Sequence, residues 1–152
     1  MLKKMLMLGS LAMLTVFVCL GAAQAADEKE AKAQAIAEKA AALIEAKGMA
    51  AIDELRKSDV GDNLFVCEES GQELVNTASP DLQGKNISDR KMPSGASVVS
   101  EQLALVKAKG AGWIDAPWAV SNDATPRQTR SYVKGVTLDG KTLLVGSWFY
   151  LD

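Results

Sequence analysis

The chain has no histidine in its 152 residues. That absence removes the Ser-His-Asp and Cys-His nucleophile arrangements, the histidine-bearing zinc sites and the commonest general base near neutral pH. Cysteine is almost as scarce, with Cys19 in an apolar N-terminal run and Cys67 within Leu64-Phe65-Val66-Cys67. Once Cys19 is removed with that run, Cys67 has no intrachain partner and reads as a buried thiol packing as a small hydrophobe. No H-E-x-x-H, C-x-x-C, P-loop or G-x-G-x-x-G is present, and a lysine- or carboxylate-based enzyme would need an activating partner that no motif supplies. Gly110-Ala111-Gly112 follows a helical pattern and precedes a strand. Phosphate binding requires the reverse order, so these glycines read as a helix stop. The expectation is a binding protein and not an enzyme, with neither cofactor nor metal.

Positive charge is slightly outnumbered, with 17 Lys and Arg against 19 Asp and Glu. The net charge is −2, and loss of Lys3 and Lys4 with an N-terminal segment takes it to −4. A mildly acidic surface argues against nucleic acid and anionic membrane as partners. The segment itself has the pattern of an export signal: two lysines, an apolar run from Met5 to Leu20, and Ala23-Gln24-Ala25 as a small-x-small cleavage site. Residues 1–25 are therefore expected to be a signal peptide and residues 26–152 one domain, exported to the periplasm. The uncharged stretch from Met5 to Ala26 is also long enough to span a bilayer, and retained it would be an anchor. Val18 precedes Cys19 where a lipoprotein signal needs a small residue, so lipidation is not expected.

What is present is a clear order of elements. Residues 26–57 are Ala-rich and proline-free, with Ile36, Ala40, Leu43, Ile44, Met49, Ile52 and Leu55 at roughly helical spacing. This is a packing helix, kinked or broken at Gly48. Strands are expected over 63–68 and 72–76, turning at Glu69-Ser70-Gly71. Residues 77–93 are irregular, punctuated by Pro80, Gly84 and Pro93. A second helix over 94–109 carries Val98, Val99, Leu103, Leu105 and Val106 on its apolar side and stops at Gly110. Three strands follow, over 112–118, 128–138 and 141–151, the last two joined by Asp139-Gly140, the strongest short hairpin signal in the chain. Antiparallel hairpins flanked by helices make an α+β domain. The N-terminal helix is expected to cover one face of the sheet. A cavity is expected on the other, under the 77–93 loop and the second helix.

Aromatics make up only 5% of the chain, yet Trp113, Trp118 and Tyr132 fall with Arg130 into one stretch of two strands and a polar turn. That combination suits an aromatic-walled, cationic recess for a small anion.

Several short segments then occur in a telling sequence. They are Phe65-Val66 before Gly71, Leu74-Val75-Asn76, Leu82-Gln83-Gly84-Lys85-Asn86, Gly112-Trp113-Ile114, Trp118, Ser131-Tyr132-Val133 and Val145-Gly146-Ser147-Trp148-Phe149-Tyr150. In this order they resemble the second family of single-Cache domains, the extracytoplasmic sensor modules of bacterial chemoreceptors and histidine kinases. The likeness runs from the N-terminal helix to the last strand. It implies a PAS-like five-stranded antiparallel sheet with a long N-terminal helix, a second helix between strands 2 and 3, and a pocket for small ligands, often short organic acids. The partner expected to read the bound state is a membrane receptor, histidine kinase or transporter. The chain departs from the family pattern at Asn76-Thr77-Ala78, where many relatives carry Ala-His-Pro. Arg130 stands where lysine is frequent, and Trp148 where glycine is common. The sequence stops at Asp152, directly after the last strand, so a stand-alone module is expected.

Arg130 is the first candidate for the ligand's carboxylate, because a guanidinium holds it bidentately and a strand fixes the guanidinium well. Alternation puts Arg130 and Tyr132 on one face and Ser131 and Val133 on the other. If Val133 points to the helix-covered core, Arg130 and Tyr132 face the cavity, with the Tyr132 hydroxyl as a donor. Trp113 and Trp118, five positions apart, fall on opposite faces of an uninterrupted strand, with Trp118 favoured as the pocket wall. Asn76 at the end of the second strand, and Lys85 in the loop, complete the expected ligand set. The alternative is a ligand-free interaction module in which Trp148 plugs the cavity.

Overall fold

The computed structural model describes residues 17–119 and 125–152. Helix α1 spans Phe17–Lys47 and α2 spans Ala50–Lys57. Between them Gly48 adopts φ +62°, the left-handed conformation that ends a helix at little cost to glycine. The break expected at Gly48 is therefore a clean one. Strands β1 (Leu64–Glu68) and β2 (Glu73–Asn76) form a hairpin, a 3-10 turn occupies Pro80–Leu82, and α3 runs from Val98 to Lys109. β3 (Ala111–Trp118), β4 (Arg127–Leu138) and β5 (Lys141–Tyr150) complete one sheet, in the order β2-β1-β5-β4-β3. Every pairing is antiparallel. The β4–β5 turn places both Asp139 (φ 51°) and Gly140 (φ 78°) at positive φ, as its two-residue connection demands.

Each face of the sheet has its own core. Under α1 and α2 lie Ile36, Ile44, Ile52 and Leu55 against Leu64, Val66, Val75 and Val145. Ala37, Ala40 and Ala41 are fully buried, so small side chains bring the α1 backbone close to the strands. Burying each large aliphatic side chain contributes about 1.5–3 kcal/mol. Met49, expected on this stripe, instead lies in the turn between the helices and is 49% exposed. On the opposite face Val99 and Val106 of α3 pack on Phe65, Val133, Leu144 and Trp148. Gly146 permits this packing, because a Cβ there would stand 2.3 Å from Phe65 Cζ and 2.5 Å from the Tyr132 carbonyl oxygen.

The loop after β2 folds back along that edge strand. Glu73 N–H donates to the Lys85 carbonyl (2.9 Å), Gly84 N–H to the Glu73 carbonyl (2.8 Å), and Ile87 N–H to the Gly71 carbonyl (2.8 Å). The β2 edge is thus covered by its own chain. Of the expected export signal, residues 1–16 lie outside the described residues. No described helix is long and apolar enough to cross a membrane.

Candidate functional site

The cavity lies on the α3 side of the sheet, where Phe65, Cys67, Glu73, Asn76, Ala116, Trp118, Thr129, Ser131 and Trp148 meet Ile87 of the loop and Val98 and Gln102 of α3. Its volume is about 30 Å³. One water needs roughly 10–15 Å³ on the same measure. The space therefore suits a ligand of very few heavy atoms.

A register shift brings a carboxyl group into this apolar space. β1 and β2 pair Phe65 with Asn76 and Val66 with Val75, but Cys67 with Glu73. Leu74 is the extra residue of a β-bulge, and both Leu74 and Val75 pack into the core under α1 and α2. Glu73 is thereby turned to the same face as Asn76, where it is 1% exposed. Asn76 Nδ2 donates to Glu73 Oε1 at 2.9 Å, while the Asn76 side-chain oxygen accepts from Ser79 N–H at 2.8 Å. Glu73 Oε2 makes no hydrogen bond. Burial pushes the Glu73 carboxyl up to about 7, against the opposing pull of Asn76, the Cys67 thiol and the Arg90 charge. Burial likewise raises the Cys67 thiol, which Glu73 and Glu68 push further in the same direction, so this cysteine is an inert wall.

Trp118 supplies the second orphan. Its Nε1–H is buried without an acceptor. The Arg90 guanidinium sits 4.4 Å from the centre of its ring and reaches the Ala119 carbonyl at 3.4 Å. Thr129 donates its hydroxyl to the Ala116 carbonyl at 2.8 Å, which leaves the hydroxyl oxygen as an acceptor only.

The structure divides the expected ligand set. Trp118 and Asn76 line the cavity, whereas Arg130, Tyr132 and Trp113 do not. The expectation that Arg130 and Tyr132 look into the cavity depended on Val133 facing the N-terminal helix. Val133 packs instead under α3, so alternation turns Arg130 and Tyr132 towards α1. There Arg130 grips Asp115 through Nε (2.8 Å) and NH2 (2.9 Å) and Glu30 through NH1 (2.8 Å). Asp115 is held low by this guanidinium, and Arg130 is raised in turn. Tyr132 donates to Glu38 Oε1 at 2.8 Å and Lys134 to Glu38 Oε2 at 2.7 Å, which lowers Glu38. Burial, then Glu38, pushes the Tyr132 hydroxyl up to about 12. Trp113 is paired with Tyr132 across the strands and meets its ring edge-on at 5.2 Å on that same face. Lys85 lies 3.9 Å from Asp81, and its side chain is 60% exposed on the outside of the loop.

The residues that the sequence left unassigned are Glu73, Gln102, Thr129 and Ser131. Gln102 had a visible signal, being a polar residue on the apolar stripe of α3 between Val98, Val99 and Val106. Glu73 had none, since its facing depends on the bulge.

A family model described as a Cache domain matches residues 20–152. Among solved structures, a Cache chemosensory domain described for its carboxylic acid recognition is 26% identical, with a TM-score of 0.64 over 86% of this chain and 98% of that one. The periplasmic sensor domain of a chemotaxis protein is 22% identical, with a TM-score of 0.58 over 91% of this chain and all of that one. A methyl-accepting chemotaxis protein from Vibrio parahaemolyticus RIMD 2210633 is 16% identical, with a TM-score of 0.63 over 88% of this chain and 96% of that one. The last two share the fold.

Proposed function

The chain belongs to the Cache-domain family, and on that premise we propose that it is an extracytoplasmic receptor for a short organic carboxylate. Its action is recognition followed by a population shift, not turnover. The observation that carries this reading is the small cavity whose lining residues include two with buried orphan atoms, Glu73 Oε2 and Trp118 Nε1. Buried polar groups are normally satisfied, so two orphans in one small cavity point to a small polar occupant. The carboxylic acid recognition described for a 26% identical Cache domain supports the ligand class. Trp118, expected as a pocket wall, acts here as an indole donor, and Asn76, expected to give its amide to the ligand, gives it to Glu73 and orients that carboxyl. Occupancy would tighten the 77–93 loop and α3, and a membrane receptor, histidine kinase or transporter would read that surface. The export signal over residues 1–25 belongs to the same proposal, and mass measurement of the exported protein is expected to give a chain beginning at Ala26.

Calorimetric titration with C1–C4 monocarboxylates tests the ligand class. Binding that weakens at least tenfold in Trp118→Phe supports it. Absence of heat and of thermal stabilisation with every acid would overturn it. A rival reading draws on Trp148, which lines the cavity and meets Tyr150 edge-on at 5.1 Å. On that reading the module is plugged and binds only another protein, and a co-purifying partner without any ligand response would favour it.

A further inference from the structure

We propose that the cavity takes up a short monocarboxylate together with one proton, held between the ligand and the Glu73 carboxyl. This rests on the short-acid reading above and adds the chemistry by which an anion enters a site whose described lining carries a carboxyl and no cation.

A ligand carboxylate brings only acceptor atoms. Beside an ionised Glu73 it would meet a like charge inside an apolar enclosure, and two carboxylates sharing such a site do not both ionise. Among the described residues, none that faces Glu73 neutralises it by direct contact. β1 contributes the Cys67 thiol, on which Glu68 at the strand end acts; β2 contributes the Asn76 amide; α3 contributes Gln102. The lining residues of β3, β4 and β5 contribute no titratable group. Arg90 of the loop acts on Glu73 through space only, its guanidinium being stacked on Trp118. Arg130 and Lys85 are engaged elsewhere, by Asp115 and Glu30 and by Asp81.

One shared proton resolves the conflict. Protonated on Oε2, Glu73 donates to one ligand oxygen, while Trp118 Nε1–H donates to the carboxylate as well. Both orphans are then satisfied by one group. Burial already biases Glu73 towards its neutral form. The arrangement also sets specificity. A dicarboxylate would place its second charge among Phe65, Ile87 and Val98, and an amine would leave the indole N–H without an acceptor.

Titration of the purified protein with propionate at several pH values, in two buffers of different ionisation enthalpy, reads the proton directly. Proton uptake is expected to approach one per ligand at about pH 8.5 and to vanish near about pH 5.5. Apparent Kd should rise roughly tenfold per pH unit above neutrality. Glu73→Gln should bind without proton uptake and with a flat pH profile. Tight propionate binding with no proton exchange in the unmodified protein, or unchanged uptake in Glu73→Gln, would overturn the inference and leave the short-acid reading standing. Failure of all acids to bind at every pH would overturn both.

Discussion

Asn76 Nδ2 donates to Glu73 Oε1 across 2.9 Å, although residues three apart on a regular strand point to opposite faces. The bulge at Leu74 makes the contact possible by reversing the alternation between them. A buried carboxyl and its amide anchor are thus products of one irregular step in the β1–β2 ladder.

Asn76→Ala removes both the bond to Glu73 and the bond from Ser79 N–H. Leaving a buried polar group unmatched costs about 1–3 kcal/mol, so a loss of about 2 kcal/mol or more is expected in urea denaturation. Ligand affinity should fall with it, because Glu73 loses its orientation.

Glu73 also makes stability depend on pH in an unusual direction. Its carboxyl is raised from 4.5 to about 7 in the folded chain. The folded protein therefore holds a proton that the unfolded chain has released, and stability falls as pH rises through that window. Glu73→Gln should abolish this slope and be more stable than the unmodified protein at about pH 8, by up to about 3 kcal/mol at 1.36 kcal/mol per pKa unit. Asp115 and Glu38, both lowered, act in the opposite sense and only at acid pH, where their ion pairs are lost. Denaturant midpoints of the two proteins between about pH 4 and 9 check the separation.

Arg130→Ala is expected to leave propionate affinity within about twofold, because its guanidinium binds Asp115 and Glu30 on the far side of the sheet. Its side chain is 36% exposed, so solvent screens both pairs and the stability loss should be modest, about 0.5–1 kcal/mol. That loss should shrink further in high salt. Urea melts at two ionic strengths, paired with titration, measure both effects.

Trp148→Ala should enlarge the cavity and move the preferred ligand to longer acids. Removing so large a buried side chain costs about 3–5 kcal/mol. Acetate against pentanoate titration, alongside the thermal midpoint, reports the shift. A partner that binds the unmodified protein and is lost in this variant, with no acid bound by either, would instead favour the plugged module.

Much of this molecule was legible from residue order alone. Alanine content and apolar spacing locate α1, Gly48 breaks it, Gly110 stops α3, and Asp139-Gly140 turns β4 into β5, because each rests on local backbone preference. Alternation separated Trp113 from Trp118 and paired Arg130 with Tyr132, and those relations hold in the structure. Which face each set occupies is a different kind of fact. Period-two patterning is symmetric between the two sides of a sheet, and only the packing of Val133 beneath α3 and of Glu30 and Glu38 against β4 breaks that symmetry. Only tertiary structure, likewise, decided that Glu73 enters the cavity: a bulge is a mismatch between two strands, and neither strand's own sequence contains it.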